Sequence, residues 1–337
     1  MSEHRPDFAH IATMTERYGT FEHAELRSPR REHGYCTDDV ARLLVVATRE
    51  PDPTPLVREL ARGALEFVTD AQGADGTCHN RRNVGGRWTD RRSVDDCWGR
   101  AVWGLGTAAS QPGGSLTREA LARFERGAQQ RSPAPRSTAF ATLGAAAVLS
   151  VDRGHQGARS LIADAVDVFT IRSDESSWRW PEARLTYANA VLPDAMIAAG
   201  VALERPALID EGLELLAWLL DRETIDGHLS VTPVGGAGPG DPRGRFDQQP
   251  IEVATLADAC ARAAALTGER IWLDAVSLAD AWFDGHNDSG TVMWDPETGG
   301  GYDGLEASGR NLNQGAESTL ALISTRQQAR LLVPVTA

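Results

Sequence analysis

The chain contains no lysine. All 34 basic side chains are arginine, which excludes an internal-aldimine cofactor, a Schiff-base nucleophile and a P-loop lysine together. Cysteine is sparse: Cys36, Cys78, Cys97 and Cys260 form no C-x-x-C pair and reach no disulfide-framework density, so free thiols are expected. A zinc site from Cys36, Cys78, His79 and Cys97 matches no common ligand spacing, and neither a metal nor another cofactor is expected. No window holds the roughly 18 consecutive apolar residues of a membrane span, and MSEHRPDFAH lacks the basic-then-apolar layout of a secretory signal. A cytoplasmic location with no membrane partner is the expectation. Cations are outnumbered, 34 against 47 carboxylates for a net charge of −13, which disfavours nucleic acid because phosphate binding needs a basic surface. There is no G-x-S-x-G. Gly299, Gly301 and Gly304 match G-x-G-x-x-G by position, but no strand pattern precedes them and no helix pattern follows, so the match is chance.

What the chain does have is a recurrence. Six times a short cluster of Asp, Asn, Gln or Glu runs into a helix of small apolar residues: HGYCTDDVARLLVVAT (33–48), RSVDDCWGRAVWGLGTAA (92–109), RSTAFATLGAAAVL (136–149), LTYANAVLPDAMIAAG (185–200), QQPIEVATLADACARAAALTG (248–268) and NQGAESTLALIST (313–325). Their Ala, Val, Leu and Gly bodies suit burial on nearly every face. Between them lie amphipathic segments from Leu56, Leu116, His155, Arg205 and Arg270, with apolar residues at three- and four-residue spacing, and PDFAHIATMTERYG (6–19) completes twelve. Alternating buried and half-exposed helices at a repeat of roughly 45 to 65 residues predict an all-α fold, an (α/α)6 barrel or six-hairpin toroid forming one domain over residues 1–337. Oligomeric state stays open.

In such a ring the inner helices run the same way, so their polar N-terminal tips converge on one mouth. The tips supply Asp38, Asp39, Asp95, Asp96, Asn189, Gln248, Gln249, Glu252, Asn313, Gln314 and Glu317. Capping of free backbone N–H groups is the commonest duty of any one of them. It does not account for doubled acids, nor for Glu252 and Glu317 some three residues inside their helices. Several carboxylates around one concavity raise some pKa values and leave others ionised, which acid/base chemistry on a neutral substrate requires. Asp38, Asp39, Asp95, Glu252 and Glu317 are therefore the catalytic candidates. Aromatics cluster near the same tips, and Tyr35, Trp88, Trp180 and Tyr187 are candidate sugar platforms, flat rings beside hydrogen-bonding groups. Loops 75–96, 226–250 and 287–315 exceed the usual length and lead to inner-helix starts, so they are expected to wall the cleft.

The architecture resembles the six-hairpin glycosidase superfamily, which includes glycoside hydrolases, unsaturated uronyl hydrolases and N-acylglucosamine 2-epimerases. More closely, GYCTDDVAR, WRWPEARLTYAN, FDQQPIEVA, GGGYDGL and NQGAESTLAL resemble, over nearly the full chain, a bacterial family commonly labelled glycosyltransferase and encoded near mannoside phosphorylases. Val40 and Ala188 depart from its pattern. The resemblance implies a carbohydrate-related role and adds Glu182 and Asp247 to the substrate-binding candidates Tyr187, Asn189, Gln248, Gln249, Asn313 and Gln314. Nucleotide-sugar transferases use parallel α/β folds, whereas this chain has no Val/Ile-rich strand runs. The expected activity is therefore cleavage of a glycosidic bond in an oligosaccharide or glycan. The alternatives are an epimerase or isomerase with a His base, and a non-catalytic glycan-binding subunit of a glycosyltransferase system.

Overall fold

A computed structural model describes residues 5–169 and 178–331. Among them are twelve α-helices: α1 (Ala9–Thr13), α2 (Thr37–Arg49), α3 (Pro55–Ala71), α4 (Asp96–Ala109), α5 (Ser115–Gly127), α6 (Pro135–Val151), α7 (Gln156–Phe169), α8 (Val191–Ala202), α9 (Pro206–Arg222), α10 (Pro250–Thr267), α11 (Arg270–Phe283) and α12 (Ala316–Leu331). Even-numbered helices form the inner ring, each packed on the next, and α12 packs on α2 to close it. The fold is an (α/α)6 barrel.

Composition explains which helix goes where. Along α8 every residue from Val191 to Gly200 is buried, and along α6 all but a few are, because no face is polar. The outer helix α5 buries only Ala120, Phe124 and Gly127, one stripe of an otherwise Arg- and Glu-rich surface. Proline sets several starts, at the first turn of α3, α6, α9 and α10, where its missing N–H costs no helical bond.

Two element expectations need correction. Residues 6–19 do not form a full outer helix: α1 stops at Thr13, and Thr15–Glu16 pairs antiparallel with Gly19–Thr20, where Gly19 takes a positive φ of 142° that no helix continues through and the Phe21 N–H bonds the Met14 carbonyl. The inner helix expected from Leu185 starts at Val191, because Ala188 adopts a left-handed backbone (φ 45°) that no helix continues through. The expected loops at the inner-helix starts are present and interlocked. Gln248 and Leu305 exchange both backbone hydrogen bonds, as do Leu185 and Ala237. All four cysteines are buried and free. No helix among the described residues is long and apolar enough to cross a membrane.

Candidate functional site

Three buried arginines stand behind the polar tips of α2, α4 and α6, none of them among the residues expected from the sequence. Arg42, on α2, binds Asp39 and reaches across to Glu317 on α12 at 2.6 Å. Arg100, on α4, lies 3.2 Å from Asp38 and 3.5 Å from Asp96. Arg136, on α6, binds Glu182, the Asn189 amide oxygen and the Tyr187 carbonyl. A signal existed in the sequence: a guanidinium three or four residues after an acidic tip, inside an otherwise apolar helix, as in Asp39–Arg42 and Asp96–Arg100. A buried guanidinium needs carboxylates, so the doubled acids partly serve these arginines.

Two cavities open at these tips. The first, about 220 Å³, is lined by Glu22, Asp38, Asp39, Asp303 and Glu317 together with Arg42, Arg100 and His23. The second, about 320 Å³, lies between the 186–188 turn and the 232–236 loop, with Glu252 in its wall. Gln249 borders both, so they adjoin. Asp38, Asp39, Glu252 and Glu317 are thus brought together at one end of the barrel. Asp95 is not: it is exposed at the start of α4 and outside both linings, while its neighbour Asp96 accepts from Tyr187 Oη at 2.7 Å and Ser137 Oγ at 2.9 Å. One residue of helix phase separates the two side chains.

Glu252 is buried, at 3 % exposure, as is Asp39 at 2 %. Its Oε1 accepts the Ala188 N–H, and its Oε2 accepts the backbone and amide N–H of Asn189, the latter at 3.1 Å. Burial, then the nearby Glu223, push its pKa up to about 8 against the pull of those backbone donors and Arg136. Asp39 is also raised, by burial first, with Arg42 opposing and Glu317 adding to it. Glu317 differs from both, with a side chain 41 % exposed beside its Arg42 partner.

Most of the expected ligand-binding amides and rings are occupied elsewhere. Gln248 is fully buried, accepting from Trp282 Nε1 and donating to Asp288 and the Arg245 carbonyl. Gln314 holds Asp295 and Thr298, and Asn313 accepts the Leu26 N–H. Asn189 is fully buried between Glu252 and Arg136. These side chains tie loops to helices. Tyr35 and Trp180 are fully buried, bonded to Glu16 and Glu182, and offer no ring face to a ligand. Trp88 stacks on His79 and donates to Asp70. Glu182 is spent on Arg136 and Trp180. Asp247 keeps one buried oxygen without a hydrogen-bond partner. Only Tyr187 brings an aromatic ring to the second cavity, and Gln249 alone among the expected amides lines the cavities. His23 and Asp303 line the first cavity unforeseen. His23 sits in the hairpin region before α2, where periodicity says nothing about direction.

Glu22, Cys36 and Asp39 bring ligand atoms within 4.8 Å of one another. They suit a metal poorly: the Cys36 thiol donates to Asp39, burial pushes it well above its usual pKa, and Glu22 and Asp39 are already paired with Arg81 and Arg42.

No family model matches the chain, and no curated protein matches it. Solved structures do. A cellobiose 2-epimerase from Bacillus thermoamylovorans superposes with a TM-score of 0.73 at 12 % identity, covering 96 % of this chain and 95 % of that one. A sugar epimerase from a ruminal bacterium gives 0.72 at 10 % identity, covering 96 % and 95 %. A GH76 α-mannanase from Bacteroides thetaiotaomicron gives 0.60 at 9 % identity, covering 88 % and 86 %. At these identities the likeness concerns the fold.

Proposed function

We propose that this chain is a carbohydrate-active enzyme that cleaves a glycosidic bond in the joined mouth cavities, with Glu252 as general acid and Glu317 as general base. The observation that carries this is the contrast between two mouth carboxyl groups. Glu252 is buried and raised to about 8, so it holds a proton at neutral pH. Glu317 is half-exposed and ion-paired with Arg42. A buried carboxyl group that keeps its proton, beside a more exposed one, fits the division between acid and base in glycoside hydrolysis. Oε1 of Glu252 accepts one N–H and Oε2 accepts two, so Oε1 is the oxygen assigned the proton in this proposal. In the proposed step Glu252 gives that proton to the leaving-group oxygen as the bond to the anomeric carbon breaks. Water attacks that carbon and passes a proton to Glu317. Gln249, bordering both cavities, is suited to hold the sugar hydroxyls between them. The fold adds support by analogy only, since its structural neighbours include proteins described as an α-mannanase and as epimerases.

A second reading is isomerisation at a sugar carbon. His23 favours it, an imidazole lining the first cavity with Nε2 3.6 Å from Glu22, because proton abstraction next to a carbonyl needs a positioned base and imidazole is the commonest one. Product analysis after incubation with oligomannosides and related glycans separates the two. New reducing ends are the expected outcome. A changed sugar identity with no bond cleaved supports isomerisation, and unaltered glycan throughout the panel removes both.

A further inference from the structure

We infer that the mouth selects uncharged or ammonium-bearing sugars and rejects sugar phosphates and uronates. This inference rests on the carbohydrate reading above. Five carboxylates, Glu22, Asp38, Asp39, Asp303 and Glu317, line the first cavity against two guanidiniums, Arg42 and Arg100. Neither guanidinium is free to receive an anion. The Nη atoms of Arg42 face Asp39 and Glu317, and those of Arg100 face Asp38 and Asp96. Recognition of phosphate or carboxylate by arginine uses the two-pronged fork of the guanidinium, and both forks are filled. The one imidazole of the wall, His23, already sits against Glu22. Arg243 and Arg245 lie on the loop before α10 but outside both linings, and Arg245 pairs with Asp288.

A second feature points to the chemistry that is accepted. The wall is built mainly of acceptors: the carboxylate oxygens of Glu22, Asp303 and Glu317 line the cavity beside Gln249. A hydroxyl or an ammonium group has a proton to donate to such an oxygen. A uronate carboxylate or a dianionic phosphate has none to give and is repelled by the same charge. A 2-amino-2-deoxy sugar replaces one hydroxyl by an ammonium group that the acidic wall tolerates.

The test is equilibrium binding by calorimetry on the full chain. Gluco-, manno- and galacto-configured sugars and their disaccharides would each be offered as the neutral, 2-amino-2-deoxy, uronate and 6-phosphate forms. The neutral and amino forms should bind, and the two anionic forms at least tenfold more weakly, with the gap shrinking as salt is raised. In Glu317→Gln, which removes one carboxylate charge, the penalty against the anionic forms should fall severalfold. An anionic form binding as tightly as its neutral parent overturns the charge inference and leaves the carbohydrate reading standing. Failure of every form to bind overturns both.

Discussion

Glu317 and Glu252 both lie in the first turn of their helices behind a polar tip, yet Glu252 is buried and Glu317 is half-exposed. Glu317→Gln should abolish turnover of the true glycan. It should shift the melting temperature by only a few degrees, because Arg42 keeps Asp39 and the amide oxygen still accepts from Nη2. Wild-type turnover in a folded Glu317→Gln protein removes this residue from the mechanism. Glu252→Gln is a less benign change. Both carboxyl oxygens accept N–H groups, and an amide nitrogen cannot, so one donor of the 188–189 turn is left unpaired at a cost of about 1–3 kcal/mol. That deficit depends on pH. The raised pKa of Glu252 means that its stabilising contribution is complete below its unfolded value of 4.5 and lost as pH rises through about 8. The stability gap between wild type and Glu252→Gln, read by urea unfolding, should therefore be widest near pH 5 and narrow toward pH 8.5 by ~1 kcal/mol or more. A gap that widens with pH would show that Glu252 is ionised in the folded protein and would overturn the proposal that it acts as the acid.

At the scale of elements, the inner ring depends on glycine where two helices approach to backbone contact. A methyl carbon at Gly106 would lie 2.2 Å from the Gly144 carbonyl oxygen, and one at Gly144 2.3 Å from that of Val102. These two positions bring α4 and α6 together, although glycine in a helix interior is intrinsically poor by roughly 1 kcal/mol relative to alanine. Gly144→Ala should accordingly destabilise despite improving helix propensity, by about 3 kcal/mol, because the clash is with backbone that cannot rotate away. Thermal unfolding measures it, and an unchanged or raised melting temperature would disprove the close packing. Helix identity was legible from composition: an unbroken apolar body such as 191–200 can only be internal. Helix starts were less so. The start of α8 is decided by the left-handed backbone at Ala188, and that conformation is held by Glu252 from 64 residues away.

Over the whole molecule, four buried carboxyl groups share one bias. Asp39, Asp194, Glu223 and Glu252 are all raised, with burial the first cause in each. Each contributes most below its unfolded pKa and loses that contribution as pH rises. Asp288 and Asp295 are lowered by hydrogen bonds and by Arg245 and Arg27 despite their burial, and their contribution is lost as pH falls through those depressed values. Stability should therefore peak on the acid side of neutrality, near pH 5, and decline toward pH 8. A melting-temperature profile across pH 3–9 checks this, and a maximum above pH 7 contradicts it.

The ring itself was determined by the sequence, because the alternation of wholly apolar and one-sided helices is local and periodic, and a closed barrel satisfies both kinds of burial. The convergence of Asp38, Asp39, Glu252 and Glu317 on one mouth followed from the same periodicity, since parallel inner helices align their starts. Which polar groups remain available there was decided only in three dimensions. Gln248 and Gln249 are adjacent in the chain, yet one is consumed by Trp282 and Asp288 while the other lines both cavities. Tyr35 and Trp180 sit beside the tips in sequence but pack inward, and Arg42, Arg100 and Arg136 claim acids that local reasoning assigns to substrate. A hydrogen bond or ion pair needs a partner at a fixed distance and angle, and while Asp39 and Asp96 find theirs within one helical turn, Glu317 with Arg42, Glu182 with Arg136 and Gln248 with Trp282 find theirs tens to hundreds of residues away.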